Sequence, residues 1–191
     1  MSGTKPDALW TVERALRELP HDARWEIDAG RLVAHEPPSY FHGSATASII
    51  IALGAFVQAS RLGCVVGGDP GFRLARDPDT LRAPDVAFVS AARDRQIRQP
   101  DTFPEVPPDL AVEVLSRHDR RTAVRRKVAQ YLAHGVRSVW VCDPRKRTLE
   151  RHLADGTVHV HAGDDSWVED PTLPGFRVRL GDLLPDPRPD A

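Results

Sequence analysis

Cysteine is scarce in this chain of 191 residues, since only Cys64 and Cys142 are present. Two cysteines cannot build the disulfide framework of a small secreted domain, so a reduced compartment is expected. No basic segment followed by a long apolar core opens the chain, and the longest apolar run, Ala45 to Val57, is broken by polar and small residues. These patterns predict a soluble, cytoplasmic protein without a membrane partner.

An excess of charge of one sign is also lacking, because 26 basic side chains nearly balance 27 acidic ones and leave a net charge of −1. This balance excludes attraction of the whole molecule to a polyanion, so a nucleic acid would have to be held by a local patch. The hydrophobic fraction of 41% and the charged fraction of 28% exclude a disordered chain. The length predicts a single domain over residues 1–184, followed by a proline-rich flexible tail at 185–191.

The order of predicted elements is that of a mixed α/β fold. Hydrophobic periodicity predicts helices at Asp7–Leu19, Phe41–Ser60 and Asp119–His134, with Asp119 as the cap of the third. The apolar face predicted for the second helix comprises Ala45, Ile49, Ala52, Phe56 and Ala59. The predicted strands are Trp25–Ile27, Leu32–Ala34, Cys64–Val66, Phe72–Leu74, Val86–Val89, Leu110–Leu115, Val136–Cys142, Leu149–Leu153, Val158–Val160 and Phe176–Leu180. A mixed central sheet flanked by helices, with a C-terminal β-meander, is the simplest layered solution.

Glu113 is the first candidate for chemistry, because it is the one charge in the apolar run Leu110–Leu115. A buried carboxylate must be paired, hydrogen-bonded, metal-bound or protonated. The alternative is an acid at a strand end that reaches solvent or pairs with an arginine. Asp85 follows Pro84 at the start of another strand. Taken alone, this Pro-Asp pair is explained by a turn, because both residue types are common in turns. Together, two acids on neighbouring strands can hold a hard divalent cation through oxygen ligands.

A basic segment follows Glu113, in which Arg117 to Lys127 carries six basic residues against one acid. Such a segment is either a solvated helix face or a surface for phosphate contact through Arg120, Arg121 and Arg125. Lys127 lies at one edge of the apolar stripe of this helix, and Arg125 lies at the other. Periodicity therefore does not decide which of the two side chains reaches inward.

The remaining candidates carry weaker signals. Glu26 alternates with apolar neighbours in a short strand, which by itself is typical of an exposed strand residue. His42 opens the long second helix without a defined role. His159 and His161 share one face of a strand but lack a third zinc ligand nearby in the sequence.

Six segments of the chain, taken together, resemble the Uma family of restriction-endonuclease-like proteins, a branch of the PD-(D/E)xK nuclease superfamily. The segments are WEIDAGRL, FHGSATASIIIALGAF, RAPDVAFVSAAR, PPDLAVEVLS, KVAQYLAHGVRSVWVCDP and LPGFRV. Their order and spacing extend the resemblance over roughly residues 22–184. The resemblance implies a restriction-endonuclease-like core. It also implies an endonuclease that uses Mg²⁺ or Mn²⁺ to hydrolyse phosphodiester bonds of nucleic acid, with DNA as the first choice of substrate.

The resemblance also implies roles for individual residues. Asp85 matches the metal-binding aspartate of the family, and Glu113 matches the glutamate of its second acidic motif. Leu115 occupies the usual position of the catalytic lysine, which implies that Lys127 of the following helix replaces it. Glu26 matches an acid that helps to bind metal, and His42 matches a histidine in a supporting position.

Two departures from the family pattern affect this interpretation. Arg117 and His118 stand where many relatives have Pro-Ser, and Ala123 replaces an aspartate one helical turn before Lys127. A catalytically inactive module that uses the nuclease fold for nucleic-acid binding or protein interaction is therefore the alternative function. A purely structural protein with solubilising arginines is a third possibility. A homodimer is a further expectation, because cutting both strands of a duplex often uses two active sites.

Overall fold

The computed structural model describes residues 9–99 and 101–186 of the chain. Within these ranges the helices are α1 (Val12–Glu18), α2 (Tyr40–Ala59), α3 (Ala91–Asp94), α4 (Arg121–Ala133) and α5 (Leu180–Leu183). The strands are β1 (Trp25–Asp28), β2 (Arg31–Ala34), β3 (Gly63–Gly67), β4 (Phe72–Ala75), β5 (Thr80–Arg82), β6 (Val86–Ser90), β7 (Leu110–Val114), β8 (Ser138–Asp143), β9 (Thr148–Leu153), β10 (Val158–Ala162), β11 (Trp167–Glu169) and β12 (Arg177–Arg179). The predicted flexible tail lies outside the described residues from position 187 onward.

A six-stranded sheet with the order β10-β9-β8-β7-β6-β3 forms the centre of the fold. Strands β7 and β8 run parallel, and α4 is the crossover helix between them, while the other neighbouring strands of this sheet are antiparallel. A second sheet has the order β2-β1-β5-β4. The prediction of a mixed sheet flanked by helices is confirmed.

Helix α2 covers one face of the central sheet. Ala45, Ile49, Leu53 and Val57 are buried in one cluster with the core residues of β6, β7 and β8. The buried face is displaced from the predicted one, because Ala52 and Phe56 are only partly buried and Ala59 is exposed. By length and composition α2 is apolar enough to cross a membrane, and one stripe of it packs against the central sheet.

Strand β7 carries different residues on its two faces because successive side chains point in opposite directions. Leu110, Val112 and Val114 belong to the cluster that includes α2. Ala111 packs with Val128 and Tyr131 of α4 on the other face. Glu113 has the same parity as Ala111, and its carboxylate is therefore directed toward α4.

The hairpin of β1 and β2 is closed by two residues with positive φ, Ala29 at 49° and Gly30 at 78°. Both central residues of a type I′ turn need this backbone conformation, so the predicted hairpin is confirmed. Ile27 packs with Val12, Ala15 and Leu81. Alternation along β1 then directs Glu26 and Asp28 to the opposite face, where α4 lies.

Two predicted helix starts differ from the structure. Helix α1 begins at Val12, because the Thr11 side chain accepts a hydrogen bond from the Arg14 N–H. The predicted start at Asp7 lies outside the described residues. Helix α4 begins at Arg121, and Asp119 is not its cap, because the Asp119 carboxylate instead accepts a hydrogen bond from the Ser116 N–H at 2.6 Å.

The C-terminal strands form two separate structures. Strands β8, β9 and β10 make a meander that extends the central sheet to its edge. The third strand predicted for this meander, at Phe176–Leu180, is instead β12, which pairs with β11 in a two-stranded ribbon. Strand β11 was not predicted, because its three residues are too few to show a period.

Candidate active site

Asp85 and Glu113 lie near the ends of two neighbouring antiparallel strands, Asp85 just before β6 and Glu113 within β7. Val86, the first residue of β6, pairs with Val112 of β7, so Asp85 directly precedes this pair and Glu113 directly follows it. The Val114 N–H donates a hydrogen bond of 2.7 Å to Asp85 Oδ2, which ties the aspartate to the strand that carries the glutamate.

Lys127 of helix α4 contacts Glu113 and a second acid, Glu26. Its Nζ atom lies 3.1 Å from Glu113 Oε2 and 3.1 Å from Glu26 Oε1. Arg125, which periodicity could not separate from Lys127, is exposed on the outer side of the helix. The structure therefore places the lysine and not the arginine beside Glu113.

Glu26 is buried, contrary to the interpretation of its strand taken alone, because only 1% of its surface is exposed. Its Oε2 atom accepts a hydrogen bond of 2.9 Å from Arg82 and lies 3.1 Å from His35 Nε2. Its Oε1 atom accepts a hydrogen bond of 2.9 Å from the Ala83 N–H. Period-two alternation indicated a solvent-facing residue, but the second face of β1 is covered by α4 and not by water.

Three further polar residues complete the site, and the sequence pattern did not identify them. Tyr131 donates a hydrogen bond of 2.7 Å to Glu113 Oε1 and is fully buried. Arg82 donates through Nε to Gln130 Oε1 at 2.9 Å, and Gln130 donates through Nε2 to Asp28 Oδ1 at 2.7 Å. Tyr131 is one helical turn after Lys127, a spacing that could have identified it. Its ring fits the apolar stripe of the helix equally well, so the stripe alone explained its position.

His42, at the beginning of α2, contacts the other metal-ligand candidate. Its Nε2 atom lies 3.2 Å from Asp85 Oδ1. Burial lowers the pKa of His42, but the hydrogen bond and the charge of Asp85 raise it more. His42 thus joins the helix that covers one face of the sheet to the carboxylate at the end of β6.

Burial and neighbouring charges shift the pKa values of the two glutamates of the site in opposite directions. Burial, together with the negative charges of Glu26 and Asp85, raises the pKa of Glu113. Burial would also raise the pKa of Glu26, but the hydrogen bond from His35 and the charges of Lys127 and Arg82 hold it well below its ordinary value. Burial lowers the pKa of Lys127, but its two carboxylate partners raise it more, so Lys127 carries a charge at neutral pH.

The chemistry of the donor set at Asp85 and Glu113 fits a hard divalent cation. Each carboxylate receives one polar contact per oxygen, which leaves about half of the roughly four acceptor positions of an ionised carboxylate free. Magnesium is typically bound by one or two carboxylates and completes its shell with water and substrate phosphate. Within residues 9–99 and 101–186, no group of three or more His, Cys, Asp and Glu side chains could hold a metal ion by protein ligands alone.

The basic segment forms an exposed surface next to this site. Arg117, Arg120, Arg121 and Arg125 are all exposed, and none of them forms an ion pair with another described residue. Arg126 differs, because its Nε atom lies 3.0 Å from Asp28 Oδ2. Four guanidinium groups, two in the segment before α4 and two in its first half, are therefore available for contact with an anionic partner.

The raised pKa of Glu113 predicts a specific dependence of stability on pH. Between the ordinary pKa of 4.5 and about 7, the folded state binds more protons at this group than the unfolded state does, so its contribution to stability falls as the pH rises. The lowered pKa of Glu26 acts only below pH 4.5, where stability falls as the pH drops. We expect the stability gained by Glu113→Gln over the native protein to increase from pH 4.5 to 7 in urea unfolding experiments. If the unfolding free energies of the two proteins changed with pH in parallel, this would contradict the burial of the Glu113 charge.

The fold and the site together define a class, the restriction-endonuclease-like proteins, in which acids at the ends of adjacent central strands meet a lysine. Comparison with known proteins agrees with this class. The model of the Uma2 family, described as "Putative restriction endonuclease", matches residues 5–181. The chain belongs to this family.

A solved structure has the same fold. It is described as "a putative nuclease belonging to DUF820" from Anabaena variabilis, and it superposes with a TM-score of 0.76 at 19% sequence identity. The match covers 91% of this chain and 97% of the other. At this level of identity the likeness supports the fold alone. No curated protein matches the chain.

Proposed function

We propose that the protein is a divalent-metal-dependent endonuclease, with Asp85 and Glu113 as metal ligands and Lys127 as the catalytic cation. The observation that carries this proposal is the contact of Lys127 Nζ with Glu113 Oε2 at 3.1 Å, on the strand whose Val114 N–H donates a hydrogen bond to Asp85. These residues come from three separate elements, and a purely structural role does not require them to meet at a strand end next to exposed arginines.

Each residue of the site has a separate role in the proposed hydrolysis of a phosphodiester bond. A cation such as Mg²⁺ or Mn²⁺, when bound, would act as a Lewis acid on the scissile phosphate. The charged ammonium of Lys127 stabilises the negative charge that develops on the phosphate oxygens in the transition state. Tyr131 and Val114 hold the carboxylates of Glu113 and Asp85 in place through hydrogen bonds.

The test of this proposal is cleavage of supercoiled plasmid DNA by the purified protein. We expect nicked and linear products with Mg²⁺ or Mn²⁺ and none in the presence of EDTA. Single-stranded DNA and RNA, assayed in parallel, would identify the preferred substrate. Salt-sensitive DNA binding without turnover under any divalent cation would instead favour the non-catalytic module.

The exposed arginines predict how binding depends on salt. Replacing Arg120, Arg121 and Arg125 together by glutamine should weaken DNA binding and reduce the slope of log affinity against log salt by about 0.9 for each phosphate that the variant no longer neutralises. Fluorescence anisotropy with labelled duplex DNA at several salt concentrations measures this slope. Arg95→Gln with Arg98→Gln, which removes exposed charge outside the patch, is the matched control. Equal slopes for the native protein and the triple variant would show that these three arginines do not contact the DNA.

The localisation in the cytoplasm, the single domain over residues 1–184 and the homodimer remain proposals that follow from the sequence. A homodimer would bring two active sites to one DNA duplex, one for each strand. Sedimentation of the purified protein measures the oligomeric state directly.

A further inference from the structure

Glu26 differs from the other two acids of the site in the number of its partners. Its Oε1 atom receives the Ala83 N–H at 2.9 Å and Lys127 Nζ at 3.1 Å. Its Oε2 atom receives Arg82 at 2.9 Å and His35 at 3.1 Å. An ionised carboxylate has roughly four acceptor positions, so those of Glu26 are filled. A cation could bind Glu26 only by displacing one of these four partners.

Arg82 is itself held by a buried network. Only 3% of its surface is exposed. Gln130 accepts from Arg82 Nε at 2.9 Å, and Asp28 Oδ1 lies 3.2 Å from Arg82 Nη2. Gln130 and Asp28 are also joined to each other by a hydrogen bond of 2.7 Å. The guanidinium group that binds Glu26 is thereby fixed from a second side.

Helix α4 supplies no acid to hold Lys127. The positions one turn before and after the lysine, which are its neighbours on a helix surface, are Ala123, Val124, Gln130 and Tyr131. The carboxylates that contact the ammonium therefore come from two other elements, Glu113 from β7 and Glu26 from β1.

We propose that Glu26 is a positioning residue for Lys127 and not a metal ligand, and that Arg82, supported by Gln130 and Asp28, fixes Glu26 in this role. The carboxylates of Glu26 and Glu113 hold the ammonium from two sides, each at 3.1 Å. The inference rests on the proposed nuclease function for the catalytic part of its test, whereas the metal and lysine parts need no turnover.

The metal part of the test compares Glu26→Gln with Glu113→Gln by calorimetric titration with Mn²⁺ in the absence of nucleic acid. We expect Glu26→Gln to keep the affinity of the native protein and Glu113→Gln to lose it. Glu36→Gln, a substitution at an exposed acid, is the matched control. An equal loss of affinity in both buried variants would identify Glu26 as a ligand and overturn the inference.

The lysine part observes the ammonium directly by NMR of protein labelled with ¹³C and ¹⁵N at lysine. The chain has only three lysines, Lys5, Lys127 and Lys146, so the resonances can be assigned by substitution. In Glu26→Gln we expect the Lys127 side-chain resonances to report greater motion and faster exchange of the ammonium protons, while those of Lys146 stay unchanged. Unchanged Lys127 resonances would overturn the inference.

The catalytic part separates kcat from KM. A positioning role predicts a fall in kcat of roughly 10–100-fold with KM for DNA unchanged. An unchanged kcat in a native-like Glu26→Gln variant would contradict the role. If the native protein cuts no nucleic acid, the proposed function fails, while the metal and lysine measurements still decide the inference.

A measurement on the unmodified protein covers the case in which Glu26→Gln does not fold. Crystals soaked with Mn²⁺ locate the ion by its anomalous scattering. We expect coordination bonds to Asp85 and Glu113 and none to Glu26. A bond between manganese and a Glu26 oxygen would overturn the inference.

Discussion

Replacing Glu113 by glutamine is expected to lower the rate of Mg²⁺-dependent cleavage by at least about 10²–10³-fold, the loss typical when one preorganised electrostatic group is removed from a site. The amide keeps the size of the side chain and can still accept a hydrogen bond from Tyr131, but it cannot serve as an anionic metal ligand. The folded protein should be at least as stable as the native one at pH 7, because the change removes a buried charge whose pKa is raised. Initial rates of plasmid nicking and urea unfolding curves measure the two effects.

The control for this variant is Glu36→Gln, which removes an exposed carboxylate of the same chemistry. It should cut at the native rate. Cleavage by Glu113→Gln at the native rate would show that the activity does not come from this site. A large loss of stability in Glu113→Gln would show that the ion pair with Lys127 is needed for folding.

Replacing Arg82 by methionine is expected to cause a larger loss of stability than any other substitution proposed for this protein, about 3–5 kcal/mol, because it removes one partner of a buried ion pair. Arg82 and Glu26 are 3% and 1% exposed, and Arg82 Nη1 lies 2.9 Å from Glu26 Oε2. The substitution would leave the Oε1 atom of Gln130 without its donor and would remove one of the two partners of Asp28 Oδ1. Equilibrium unfolding in urea measures the change in free energy.

Arg76→Met is the matched control, since Arg76 pairs with Glu105 while both side chains are largely exposed. It should leave the unfolding free energy close to the native value, because exposed ion pairs contribute little. A change of similar size in the two variants would mean that the buried network around Arg82 does not contribute more than a surface pair.

The fold was largely predictable because its longer elements have a clear hydrophobic period and are bounded by turn-forming residues. The apolar run at Leu110–Leu115 indicated a strand buried on both faces, and the structure places β7 in the middle of the central sheet. Short elements without a period were missed, such as β5 (Thr80–Arg82), which carries Arg82 into the site. Its three residues lie between turn-forming aspartates and Pro84, so the local pattern indicated only a loop.

The candidate site was predictable where a residue was anomalous in its surroundings and hidden where it was ordinary. Glu113 was conspicuous among apolar neighbours, and the structure brings Lys127 to it as the resemblance implied. Tyr131 fitted an apolar stripe, and this obscured the polar contact that its spacing from Lys127 could have indicated. The burial of Glu26 could not be derived locally, because it depends on a helix that begins some hundred residues later in the chain.

Two of the departures named above have a structural account. Leu115 occupies the position where the superfamily pattern has its lysine, but Lys127 of α4 contacts Glu113. Ala123 supplies no acid, but Glu26 contacts the ammonium from β1. The replacement of residues at these two positions therefore leaves a carboxylate–lysine cluster intact.

The central claim is that Asp85 and Glu113 together bind a divalent cation, and calorimetric titration of Mn²⁺ into the native protein and Asp85→Asn tests it most directly. We expect binding to the native protein that is lost in Asp85→Asn, while the variant keeps its native fold by circular dichroism. Mn²⁺ binding of equal affinity in the two proteins, or no binding to the native protein at all, would contradict it.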